Sequence, residues 1–146
     1  MRNFSKRTKS PGAFTLIEVV IVIAIIGVMA ALVISAFSNA AQDTRRVVSR
    51  QQQAAVQNAV NAWVAATIDY DTTVAEARTT YNNATTSLGR LNLVSRFLDD
   101  ATFEHLDQPT SNNQKVQSGA LSKTSQHLSL PDWTGGSYPK VILSSD

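Results

Sequence analysis

Cysteine is absent from the 146 residues, which removes disulfides, cysteine-based zinc sites and thiol nucleophiles. The fold must be held by packing alone. Histidine is scarce as well: His105 and His127 stand apart with no motif partner and read as surface or packing residues. No glycine-rich phosphate loop and no nucleophile elbow occurs, so no constellation for an enzyme assembles. Asp99, Asp100, Glu104 and Asp107 gather near His105. Their spacing matches no EF-hand loop, and a solvated helix end is the better reading.

A lasting basic stripe is also missing. The formal charge is +2, from 13 Lys and Arg against 11 Asp and Glu, but Arg2, Lys6, Arg7 and Lys9 sit ahead of a long apolar run. Without residues 1–13, nine basic side chains face eleven acidic ones, a charge of −2. No nucleic-acid footprint survives that subtraction. The basic cluster reads as targeting.

Polarity itself is absent from Ala13 to Ile34, where Thr15 and Glu18 are the only clearly polar residues. Residues 14–34 have strong helical potential and would extend roughly 31 Å at the helical rise, about one hydrocarbon core. The basic residues before the run and the mixed Asp43, Arg45 and Arg46 after it favour a cytoplasmic N-terminus. Three readings of this segment follow. It is a plain membrane anchor, or a secretory signal cut near Ser38-Asn39-Ala40, although the run exceeds a usual signal core. Neither accounts for Glu18, since an acid in an apolar span is costly and normally has a partner. In the third reading a peptidase cuts between Ala13 and Phe14. The new amino group of Phe14 then lies one helical turn from Glu18 on the same face, within one subunit or across to the next.

The run Gly12-Ala13-Phe14-Thr15-Leu16-Ile17-Glu18, with the apolar residues through Leu32, closely resembles the N-terminal methylation segment of type IV pilins and type II secretion pseudopilins. That resemblance implies removal of a basic leader, residues 1–13, by a membrane prepilin peptidase. It also implies N-methylation of the new N-terminal Phe14 and an assembly role for Glu18, the fifth mature residue. The family most often has Gly directly before the cut, whereas Ala13 intervenes here. Cutting between Gly12 and Ala13 would move Glu18 out of register, so the Ala13–Phe14 bond is preferred. Many major pilins carry a kinking proline where this chain has Ser35; Gly27 remains a weak point in the helix.

Ala24, Gly27 and Ala31 place small side chains on one stripe, which permits close helix packing, although such residues are common in membrane helices anyway. Between Ala36 and Tyr70 there is neither Pro nor Gly, so the helix is expected to continue over residues 35–70. Val56, Val60, Val64 and Ile68, with Trp63, mark its buried stripe, and Gln52, Asn58 and Asn61 its opposite face.

A second helix is expected from Asp71, as cap, to Asn83, with Val74, Ala77 and Tyr81 on one face. A third, capped by Ser87, runs to Asp99 and buries Leu91, Val94, Phe97 and Leu98, with Arg90 and Arg96 solvated. Residues 108–126 are polar, with Pro109 and Gly119, and read as a mobile loop. His127–Leu130 and Lys140–Leu143 then read as two strands joined by a turn-rich connection. Trp133 and Tyr138 cover this sheet or contact a partner.

The expected fold class is α+β and pilin-like. A long N-terminal helix, membrane-spanning in its first half, packs on a small helical region and a short antiparallel sheet within residues 71–146. The expected function is that of a structural subunit of a type II secretion pseudopilus or type IV pilus-like filament. The alternative is a membrane-anchored periplasmic binding or adaptor domain that never polymerises. The resemblance implies a prepilin peptidase, like subunits, an inner-membrane assembly platform and membrane lipid as partners. It places the chain in the bacterial inner membrane, single-pass, with a periplasmic C-terminal domain, before incorporation into a filament. Major pseudopilins often bind calcium in a C-terminal loop; the stretch around Asp132 resembles that loop in position only, and no cofactor or metal is expected.

Overall fold

The computed structural model describes residues 14–68, 72–109 and 113–145. The chain falls into two compact units, Met1–Ala40 and Ala41–Asp146, and each is described by itself. Helix α1, Leu16–Thr67, contributes residues to both. In the first unit every described side chain from Phe14 to Ala40 is exposed, and the helix is apolar on all sides rather than along one stripe. That pattern belongs to a helix meant for an apolar surrounding rather than for water.

The second unit is built on one face of α1. Val56, Ala59, Val60, Trp63 and Val64 recur at intervals of three and four and are all buried. Against them pack Ala77 and Tyr81 of α2 (Val74–Asn83), then Leu88, Leu91 and Val94 of α3 (Ser87–Val94). A 3-10 turn, Ser95–Phe97, leads to α4 (Asp100–Leu106), whose Leu106 closes the core on that side. After the short α5 (Gly119–Ser122), strands β1 (Gln126–Ser129) and β2 (Ile142–Ser145) pair antiparallel, with Leu128 opposite Leu143. The architecture is α+β, with a long N-terminal helix, smaller helices and a two-stranded sheet, consistent with a pilin-like fold.

Helix starts are set by side-chain caps. Thr73 caps α2, accepting from the Glu76 amide while the Glu76 carboxylate accepts from the Thr73 amide at 2.8 Å, a reciprocal capping box. Asp71, expected as this cap, lies outside the described residues. Thr86, one residue ahead of the expected Ser87, caps α3. The third helix also stops short of Asp99, because that carboxylate accepts from the Thr102 amide and starts α4 instead.

Three packing expectations change. Phe97 is 41 % exposed, since the 3-10 turn rotates it away from the core. Gln52 is half-buried rather than solvated, accepting from Ser118 Oγ at 2.8 Å. In the stretch read as a loop, Val116 pairs with Leu128 through two backbone hydrogen bonds of 2.8 and 2.9 Å, and both Val116 and Leu121 are fully buried. Residues 110–112 lie outside the described residues. The second strand begins two residues later than expected, because Val141 is held by α1: Gln57 accepts from its amide at 2.8 Å and Gln53 donates to its carbonyl at 2.9 Å.

A two-stranded sheet is marginal alone, so its stability depends on Leu128, which bridges Val116 and β2 while fully buried. Leu128→Ala is expected to cost about 2–5 kcal/mol in denaturant unfolding, and Phe97→Ala under about 1 kcal/mol. Thr73 hydrogen bonds hold the Glu76 carboxyl below its ordinary 4.5, and those of Thr102 hold Asp99 below 3.8. With folded values below unfolded ones, their contribution is complete above the ordinary carboxyl values and vanishes as pH falls through the lowered ones. Melting curves recorded down the acid range should show this loss, and Glu76→Gln, which retains a capping side chain without titrating, should remove the Glu76 share and leave that of Asp99.

Candidate functional site

Of the residues implicated at the N-terminus, Gly12 and Ala13 lie outside the described residues. Phe14 is 83 % exposed just ahead of α1. Glu18 occupies the first turn, and its partner in the structure is Thr15. Glu18 Oε2 accepts from the Thr15 amide and the Thr15 hydroxyl, each at 2.8 Å, and the Glu18 amide donates to Thr15 Oγ1 at 3.3 Å. The geometry reproduces that of Thr73 and Glu76, where the matching distances are 2.8, 2.9 and 3.3 Å. Thr15, by its sequence only a polar residue in the apolar run, is thus the capping partner of Glu18. The signal was present: Thr-x-x-Glu ahead of an apolar run is a capping-box pattern.

The box changes the chemistry available to Glu18. A helix start leaves backbone amides unpaired, which is costly in an apolar medium. The carboxylate supplies one of them with an acceptor and lies at the positive end of the helix dipole. Both contacts with Thr15 fall on Oε2, so Oε1 retains capacity for a second, cationic donor.

Behind this start, Ile17 to Ile34 present large apolar side chains on every face, all between about two-fifths and four-fifths exposed, and Phe37 follows at 72 %. Among the described residues α1 is the helix long and apolar enough to cross a membrane. Ala24, Gly27 and Ala31 lie within it, and a methyl group added at Gly27 would meet nothing within 4 Å. The glycine therefore answers no constraint inside one chain.

The C-terminal loop was the other candidate, and here Arg90 overturns its expected solvated role. It is buried, 4 % exposed, because α3 points it inward between Tyr81 and the loop. Its guanidinium donates to the Leu130 carbonyl and to the Asp132 carboxylate. Arg78 lies over the Trp133 ring at 5.5 Å and donates to the Gly135 carbonyl at 2.6 Å. Asn82 exchanges two hydrogen bonds with the Trp133 backbone. Tyr81, Trp133 and Tyr138 continue a row of tilted and edge-on rings from Trp63, and burial pushes the Tyr81 hydroxyl up to about 12.

These residues do not fit a calcium ion. The loop's one carboxylate and two of its carbonyls already face guanidinium groups, and among the described residues no three acidic or histidine side chains are placed so that they could hold a metal ion. His105 and the acidic residues of α4 are exposed.

Residues 9–34 match the family model described as the prokaryotic N-terminal methylation motif. No curated protein and no solved structure matches the chain. The motif's family is structural rather than enzymatic, and the motif implies processing by a prepilin peptidase and pilin-like assembly.

Arg90 and Asp132 should both respond to mutation. Arg90→Ala removes a buried guanidinium and is expected to cost about 1.5–3 kcal/mol. Asp132→Ala should cost at least about 1.5 kcal/mol although its side chain is 66 % exposed, because it leaves the buried Arg90 guanidinium without its carboxylate; equilibrium unfolding measures both. Together with the apolar helix, which points to membrane anchoring, the match means that this chain carries, at residues 9–34, the prepilin-type signal of type IV pilins and pseudopilins.

Proposed function

We propose that the chain is a structural subunit, a pseudopilin or pilin, of a type II secretion pseudopilus or type IV pilus-like filament. The observation that carries this reading is that the first part of α1, Leu16 to Ile34, is apolar and exposed on every side yet holds a single acid in its first turn. An anchor needs the first and has no use for the second. A helix destined to leave the bilayer for a bundle of like helices uses both, because the bundle replaces lipid around the apolar surface and the acid fixes the axial position of each newcomer.

The steps follow from the residues. A prepilin peptidase cuts between Ala13 and Phe14 and methylates the Phe14 amine. The subunit waits in the inner membrane, N-terminus cytoplasmic and residues beyond the span periplasmic, as the leading basic residues favour. During docking, the Phe14 amine of the incoming or the resident subunit meets Glu18 at Oε1, while Oε2 keeps the Thr15 cap. Ala24, Gly27 and Ala31 allow neighbouring helices to approach closely. An assembly platform in the inner membrane drives the transfer.

Substitutions at Glu18 separate charge from capping. Glu18→Gln retains a side chain able to complete the box but carries no charge, so membrane insertion should be normal while filament yield falls by at least about tenfold, as for Glu18→Ala. Filaments or secretion unchanged in both variants, at normal expression, would refute the assembly role of Glu18, whereas an unmodified chain that is anchored but forms no filaments would favour a non-polymerising anchored adaptor. Mass spectrometry of the mature chain should find methylated Phe14 at the N-terminus; a start near Ala41 would identify a cleaved, freely secreted protein.

A further inference from the structure

The second unit carries a group of basic side chains and a group of acidic ones at different places. Arg45, Arg46 and Lys123 border a cleft of about 280 Å³ between α1 and the turn after α5. Among the described residues the one carboxylate paired there is Asp43, on Arg46 at 3.7 Å, and Arg45 and Lys123 enter no ion pair. The opposite charge collects on α4, where Asp99, Asp100, Glu104 and Asp107 are all exposed, with no Lys or Arg between residues 97 and 114. Asp99 borders a different cleft, with Val48, Gln51 and Ala55 of α1. At 100° per residue those positions face about a third of a turn away from Gln42, Arg45 and Arg46. No ion pair joins the two patches within one chain among the described residues.

We propose that the Arg45–Arg46–Lys123 cleft is a docking surface for α4 of a second copy of this chain. Complementary patches at different places on one molecule define a heterologous contact, which propagates from copy to copy instead of closing on a pair. The apolar helices supply most of the association energy in such an assembly, and the charge pairs fix its register and suppress wrong neighbours. Exposed pairs are individually weak, so several acids meeting several bases is the arrangement that specificity at a surface requires. This inference rests on the filament reading.

The full-length chain, expressed with its processing and assembly machinery, tests it. Arg45→Glu combined with Lys123→Glu should lower the sheared filament yield about tenfold, and adding Asp100→Lys with Glu104→Lys to the same chain should restore most of it. The absence of native cysteine permits a direct check: copies carrying Lys123→Cys, mixed with copies carrying Glu104→Cys, should form a disulfide-linked dimer in filaments. Normal filaments from the reversed chain, without that cross-link, would overturn the inference and leave the filament reading standing. If the unmodified chain makes no filaments, both fall. If the reversed chain instead loses sedimentation with phosphatidylglycerol vesicles and the added swap restores nothing, the cleft serves lipid headgroups and the docking surface is refuted.

Discussion

Burial of one face of α1 organises everything else in residues 41–146. Val56, Val60 and Val64 are fully enclosed, and each smaller element contributes a few side chains to covering them: two from α2, three from α3, one each from α4 and α5. None of these pieces is long enough to persist by itself, since helices of four to ten residues are unstable in water without tertiary support. Glutamines on the flanks of the same stripe then fasten the segment leading to β2. The helix is therefore template and scaffold at once, and in a chain without cysteine no covalent link shares that duty.

That dependence explains what could be read in advance. The α1 stripe was legible because its period is regular over several turns, and the N-terminal segment because its composition is extreme. Ends of elements were less so. Asp71 and Ser87 are reasonable caps by type, but Thr73 and Thr86 take the positions, because capping depends on which oxygen meets the exposed amides. Arg90 was the largest surprise: a lone arginine on a short helix is normally solvated, and its burial follows from the Leu130 carbonyl and Asp132 arriving from forty residues away. Val116 and Leu121 were hidden by the polar residues around them. Their role depends on contacts distant in sequence, where local composition carries no information.

The two Thr-x-x-Glu boxes show one local rule serving two settings. At Thr73 and Glu76 the box starts a helix in water, where solvent could satisfy the same amides. At Thr15 and Glu18 it starts a helix whose surroundings are apolar, where no such substitute exists. The same hydrogen bonds therefore matter more at the second site, and they give Glu18 a duty in the single subunit before any neighbour arrives. In the proposed assembly the acid keeps that duty and gains a second through its other oxygen.

The row of rings through Trp63, Tyr81, Trp133 and Tyr138 has a practical consequence. Both tryptophans of the chain belong to it, and neither lies in the apolar segment. Their emission therefore reports on residues 41–146 alone, whatever surrounds the apolar segment. The intrinsic light of the protein can follow folding of one unit while the other changes its surroundings.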